Sequence, residues 1–281
     1  MQNTIAADLV ETLLLTTTDR ALGLQQIASL QSKLGPLAEF MIGSALRTMK
    51  RRATVLGPDY PFEILPHAVR KSSMCEATPY VRLLTLSPNG LFRETMDVRA
   101  LDRAAVDFER ITEIALHGLA GPGTSAIRFG WPSDVGRPME FPNAIVWLGE
   151  KIGIPLGTGF RPPRRKDGGV DIVAWRRFAD QKSAFPIYLV QCTIQGNLQN
   201  KANDIDLRNW SYWLDFSRDP MPILAVPQDL PFNEDWKEVA LKCLILDRLR
   251  IIELLKITQN SVEQFDNSDA IKRVRKALEN Q

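Results

Sequence analysis

The chain has 281 residues, of which 44% are hydrophobic and 24% charged; these values belong to a folded globular protein and exclude a disordered or collagen-like one. Its 35 basic and 33 acidic side chains leave a net charge of +2, which excludes a uniformly basic nucleic-acid coat but permits a locally basic groove. Three scattered cysteines (Cys75, Cys192, Cys243) and two histidines (His67, His117) give neither zinc-ligand spacing nor a disulfide framework, so metal chemistry must use oxygen ligands. The N-terminal stretch lacks a basic-then-apolar leader pattern, and no apolar run approaches the length of about eighteen residues that a span requires. The expected setting is a reducing cytoplasm without membrane contact.

From Ile5 to about Leu34 apolar residues recur at three-to-four spacing (Leu9, Leu13, Leu14, then Leu22, Ile27, Leu30), which predicts a pair of short helices. A further helix is expected from about Pro36 to Leu56, broken by Gly57-Pro58. Its terminal Lys50, Arg51 and Arg52 suit a helix C-terminus, with a phosphate-contacting patch as the alternative. Residues 80–86 fit a helix and a buried strand equally. From Val98 to about Leu119 a long amphipathic helix is predicted, with Leu101, Ala105, Phe108, Ile111, Ile114 and Ala115 on one stripe and Gly118, Gly121 and Gly123 marking its end. The turn-rich stretch from Gly121 to Pro138 is the nearest thing to a boundary. It divides a mainly helical region, residues 1–135, from a mixed region, residues 136–281.

In the second region a helix starting at Pro142 presents Ile145, Leu148 and Ile152 before Gly153. Two strand-like runs follow, Gly169 to Trp175 and Pro186 to Thr193, joined by the polar segment Arg176 to Phe185. A helix over about Leu198 to Phe216, a strand over Pro222 to Val226 and a last helix over about Trp236 to Ile257 complete an α/β pattern. Trp210 and Trp213 fall at helical spacing and read as core, and Asp247-Arg248-Leu249-Arg250 reads as an exposed or intramolecular ion-pair face.

Period two assigns faces in the two central strands: Asp171 with Val173 on one, and Gln191 with Thr193 on one, while Cys192 points the other way as a packed thiol. If the strands pair as a simple hairpin centred near Gln181, Asp171 and Gln191 become cross-strand neighbours. A carboxylate and an amide oxygen side by side are hard ligands that suit Mg²⁺ better than zinc. Beside them, between Arg161 and Arg177, lie the cations Arg161, Arg164, Arg165, Lys166, Arg176 and Arg177 against only Asp167 and Asp171. Such a rim suits a phosphate backbone, and a loop of solvated charges is the alternative.

The run Lys166-Asp167-Gly168-Gly169-Val170-Asp171-Ile172-Val173-Ala174, followed by Leu189-Val190-Gln191-Cys192-Thr193, resembles the core of the PD-(D/E)XK restriction-endonuclease-like superfamily in its Mrr-like branch. The likeness covers roughly residues 141–226. It implies a restriction-endonuclease-like mixed central sheet flanked by helices, preceded by the mainly helical N-terminal region, with residues 136–281 as the nuclease-like domain. It further implies a Mg²⁺- or Mn²⁺-dependent DNA endonuclease with Asp171 as central metal ligand and Gln191 beside it. Thr193 stands where the pattern has lysine, and Lys201, in the following helix, is the relocated candidate. The acidic residue from the preceding helix would be Glu150, with Glu140 and Asp167 as lesser candidates, because Phe141 is followed by Pro142 where related sequences have Phe-Glu. The partners implied are DNA, a separate ATPase, helicase or sensor protein of a prokaryotic restriction or antiviral defence system, and a second copy of the chain. Two other readings stay open: a nuclease fold that has lost activity and binds nucleic acid or a partner, and a repair or recombination nuclease.

Overall fold

The computed structural model describes residues 2–32, 39–163, 166–258 and 265–279. In chain order the elements are α1 (Gln2–Thr16), β1 (Ala21–Gly23), α2 (Leu24–Ser32), α3 (Glu39–Leu56), β2 (Phe62–Ile64), β3 (Ala68–Lys71), α4 (Pro79–Thr85), α5 (Leu91–Glu94), α6 (Val98–Ala120) and β4 (Ser125–Arg128). Then come α7 (Phe141–Ile152), β5 (Ile172–Trp175), β6 (Ile187–Cys192), α8 (Leu198–Lys201), α9 (Leu207–Trp213), β7 (Met221–Ala225), α10 (Glu234–Ala240), β8 (Leu244–Leu246), α11 (Arg248–Ile257) and α12 (Ser268–Glu279). The α/β pattern expected from the sequence is present as a five-stranded mixed sheet, ordered β4-β5-β6-β7-β8, and a small antiparallel sheet, ordered β1-β3-β2. β5 runs antiparallel to both of its neighbours, β4 and β6, whereas β6, β7 and β8 run parallel. Among the described residues no helix is long and apolar enough to cross a membrane.

Two apolar layers hold the five-stranded sheet. Ile172, Ala174, Val190, Ile223 and Ala225 join a core that also contains Val10, Met49, Phe108, Ile252 and Val274, so it runs from α1 to α12. On the other face Val173, Trp175, Ile187 and Leu189 meet Phe141, Ile145 and Leu148 of α7 and Trp210 and Trp213 of α9. The expected division near residue 135 therefore does not separate two cores. β4, from the N-terminal side of it, pairs with β5, and the larger core spans both regions. A short strand with only Ala126 and Ile127 apolar carries too little periodicity to be seen in the sequence.

α6 shows how local chemistry sets an element. Asp97 caps it by accepting from the Ala100 N–H at 2.7 Å, and Ala104, Phe108, Ile111 and Ala115 form its buried stripe. It ends at Gly121, in the left-handed region at φ 79°. Gly118 is not an end signal but a contact: a Cβ there would fall on the Leu254 carbonyl of α11. The expected helix over 198–216 is two pieces, the second restarted by Asp206, which accepts from the Asn209 N–H at 3.2 Å. The expected last helix is likewise divided into α10, β8 and α11, because the apolar run Leu244–Leu246 pairs with β7.

The basic cluster near the end of α3 is divided: Lys50 and Arg51 are exposed, whereas Arg52 turns into the interior. Arg52 is fully buried, with Nη1 on Glu11 at 2.8 Å and Nε on Asp229 at 2.7 Å. Arg51 also pairs with Asp229. Arg248, equally buried, makes two parallel 2.8 Å bonds to Asp8. Burial would raise the Asp8 carboxyl, but the two guanidiniums outweigh it and hold the group low. Tyr60 and Tyr80 donate to Glu11 at 2.6 and 2.9 Å. This network clamps α1 to α3, to the segment after β7 and to the start of α11.

Candidate functional site

Asp171 enters β5 from the turn Lys166-Asp167-Gly168-Gly169. Its N–H donates to Val190 at 2.8 Å, and its carbonyl accepts from Phe129 at 2.6 Å and Gly130 at 3.0 Å. The backbone is thus held by β6 on one side and the continuation of β4 on the other. Gly168 and Gly169 both have positive φ, 66° and 78°. A Cβ on Gly169 would overlap the Asp204 carbonyl, and one on Gly168 would press on the Trp213 and Trp210 rings at 3.0 and 3.2 Å. The Trp210 indole N–H donates to the Gly168 carbonyl at 3.1 Å. Asp167 accepts from the Gly169 N–H at 2.9 Å, so its side chain shapes the turn.

β5 and β6 pair with Ile172 opposite Val190 and Trp175 opposite Ile187, the register expected for the hairpin centred on Gln181. Asp171 and Gln191 are therefore neighbours. Gln191 Nε2 donates to Asp171 Oδ2 at 2.6 Å, and the Cys192 N–H donates to the same oxygen at 2.7 Å. Gln191 Nε2 also donates to the Cys192 carbonyl at 2.9 Å. Among the described residues, Asp171 Oδ1 and Gln191 Oε1 accept no hydrogen bond.

The recess is biased towards negative charge. Burial above all, and then the charge of Glu109, push the Asp171 carboxyl up to about 8; the Cys192 N–H and Lys201 pull it back, and Asp167 adds to the rise. Glu109 itself is pushed up to about 7, chiefly by burial, with Arg128 opposing. Glu113, one turn on, is raised by the same cause. The Cys192 thiol is held protonated by burial and by these acids.

Lys201 ends α8, and its Nζ lies 2.9 Å from Asp204 while its charge reaches Asp171. Thr193 is buried, and its hydroxyl accepts from the Gln195 N–H at 3.1 Å, shaping the segment after β6. Glu150 is exposed near the end of α7, and Glu140 accepts from Asn143 at 3.2 Å; neither is among the charges that act most on Asp171. The helical acid that does act on it is Glu109 of α6, because α6 lies across β4, β5 and β6. Sequence reasoning passed over it. The available signal was the like-charged pair Glu109 and Glu113 at i, i+4, which destabilises a lone helix and so calls for a tertiary reason.

The cationic rim is anchored in a particular way. Arg161 donates to the Gly157 carbonyl at 2.6 Å and to that of Trp213 at 3.3 Å, and Arg176 donates to the Ala120 carbonyl at 3.2 Å. The Arg177 guanidinium lies 5.1 Å from the centre of the Phe185 ring, and Lys166 is exposed. None of these four is ion-paired with a carboxylate among the described residues; Arg164 and Arg165 lie outside them. Also among the described residues, no three His, Cys, Asp or Glu side chains gather as a metal-binding group. Comparison of the chain with protein-family models, with curated proteins and with solved structures finds no match.

Proposed function

We propose that the chain is a Mg²⁺- or Mn²⁺-dependent DNA endonuclease that hydrolyses phosphodiester bonds, with Asp171 at its centre, in prokaryotic restriction or antiviral defence. The mixed sheet with helices on both faces supports a restriction-endonuclease-like arrangement. The observation that carries the reading is the pairing of Asp171 with Gln191 in a recess where Glu109 and Asp167 add negative charge and Lys201 is the opposing cation. A negatively biased recess favours a cation.

The residues fit a hard divalent ion. Mg²⁺ commonly keeps several waters and uses one or two protein oxygens together with substrate phosphate. Among the described residues no donor sits on Asp171 Oδ1 or Gln191 Oε1, and the helical acid whose charge acts on Asp171 is Glu109 of α6, in place of the metal-holding acid expected at Glu150. When bound, such an ion supplies Lewis-acid polarisation of the phosphate and a more acidic water. The chain's own residues do the rest. The Cys192 N–H and the Gln191 amide fix the Asp171 carboxylate, and Lys201, released from Asp204, neutralises charge developing on the phosphate. Arg161, Lys166, Arg176 and Arg177 attract the backbone.

A second reading, a nucleic-acid-binding module without activity, is favoured by one arrangement: Gln191 turns its nitrogen to Asp171, while Lys201 is already paired with Asp204. Incubation with linear, supercoiled and single-stranded DNA in Mg²⁺ separates the two. Cleavage that Asp171→Ala abolishes and Lys201→Ala lowers supports the hydrolase. Cleavage retained in Asp171→Ala rejects the site, and tight binding without cleavage supports the second reading.

A further inference from the structure

We infer that Phe160, Tyr212 and Arg208 form a stacking surface for unpaired bases, which makes single-stranded or frayed nucleic acid the substrate class of the neighbouring site. The inference rests on the nucleic-acid reading of Asp171 but not on hydrolysis. α9 presents two opposite faces. Trp210 and Trp213 point inwards beneath the Gly168 turn, while Arg208 and Tyr212, one turn apart, point outwards.

The loop before the glycine turn is joined to this helix by main-chain bonds. Gly157 N–H donates to Trp213 at 2.9 Å, Gly159 N–H donates to Tyr212 at 2.8 Å, and the Trp213 indole N–H donates to the Phe160 carbonyl at 3.0 Å. A Cβ on Gly159 would collide with Tyr212. The consequence is that Phe160, one residue after the Gly159 N–H bonded to the Tyr212 carbonyl, is held at its backbone while the residue is 81% exposed, and Tyr212 is 48% exposed. Two aromatic faces on one fixed edge suit flat ligands that stack.

The charge around them selects the kind of ligand. The Arg208 guanidinium lies 5.7 Å from the Tyr212 ring centre, and its Nε donates to the Tyr212 hydroxyl at 3.2 Å. Neither Arg208 nor Arg161, next to Phe160, is ion-paired with a carboxylate among the described residues. Exposed rings interleaved with cations are the combination that tracks a single strand, with bases on the rings and phosphates on the guanidiniums; the carboxylate whose charge acts on Arg208 is Asp206, at the cap of α9. The large exposed side chains Phe232 (80%) and Leu241 (88%) lack it. They flank α10, whose Glu234, Asp235 and Glu238 would repel phosphate. Paired bases in a duplex offer no free faces to such rings, which is why the surface favours an unpaired strand. Phe160 lies seven residues before Asp167, so the two are at most about 25 Å apart along an extended chain, within reach of one bound strand.

The test measures fluorescence anisotropy of a labelled oligothymidylate and of a mixed-sequence duplex with the full chain in EDTA, where cleavage plays no part. Phe160→Ala and Tyr212→Ala should each weaken oligothymidylate binding by about five- to a hundredfold, the range for one base–aromatic stack. Duplex binding should change by less than about twofold, and Tyr212→Phe should bind like the parent. Unchanged oligothymidylate binding in the double alanine variant, an equal loss for both ligands, or no binding by the parent would overturn the inference. Oligothymidylate binding that depends on the rings, in a chain that cleaves no DNA, would remove the hydrolase reading and leave this one standing.

Discussion

Titrating Mg²⁺ into the chain at a series of pH values tests the electrostatics of the Asp171 recess. An unfolded aspartate ionises near 3.8, whereas the buried Asp171 carboxyl is pushed up to about 8. Between these values the folded state holds a proton that the unfolded state lacks, so metal-free stability falls as pH rises through the window. The full effect is roughly 6 kcal/mol at most, and less to the extent that water reaches the side chain. A divalent ion must displace that proton. Its apparent affinity should therefore rise about tenfold per pH unit, be about a hundredfold weaker near pH 6 than above about pH 8, and level off there. Ion at a hundred times its dissociation constant should add about 2.7 kcal/mol to stability. Calorimetry in buffers of different ionisation enthalpy would count the released proton, and thermal unfolding would read the stabilisation. Asp171→Asn keeps an acceptor for both N–H donors, so it should make the metal-free chain more stable above about pH 8 and remove the Mg²⁺ response. Glu109→Gln should shift the midpoint of the affinity curve to lower pH. An Mg²⁺ affinity that is flat with pH, or the same in Asp171→Asn, would refute the reasoning.

Gly169→Ala should cost more than about 2 kcal/mol in urea unfolding, because the left-handed φ and the Asp204 carbonyl both exclude a methyl group; a loss below about 0.5 kcal/mol would contradict the turn geometry. Arg248→Met should destabilise the chain by about 3–5 kcal/mol by leaving Asp8 buried without its bidentate partner, again read by urea unfolding. Lys201→Ala should lower Mg²⁺-dependent cleavage by at least about a hundredfold with little change in thermal midpoint, whereas Lys201→Arg should recover part of the rate. Equal cleavage in all three chains would take Lys201 out of the site.

The Asp171–Gln191 pairing was legible because period two and a symmetric hairpin leave one register that buries Ile172, Val173, Leu189 and Val190 together. Trp210 and Trp213 were legible as core from helical spacing alone. Glu109 was not, since its nearness to Asp171 depends on how α6 crosses the sheet, which is tertiary. β8 was hidden because Leu244-Ile245-Leu246 fits helix and strand alike, and only pairing with β7 decides. Arg52 and Arg248 look like surface charge in a sequence. Their carboxylate partners, Asp8, Glu11 and Asp229, come from distant parts of the chain, so no local pattern announces their burial.

Anomalous scattering from crystals soaked in Mn²⁺ bears most directly on the hydrolase reading. The expected result is one Mn²⁺ about 2.1–2.2 Å from Asp171 Oδ1 and bound to Gln191 Oε1, with waters completing its shell and a position lost in Asp171→Asn. Mn²⁺ found only elsewhere, with the Gln191 amide still donating to Asp171, would contradict it.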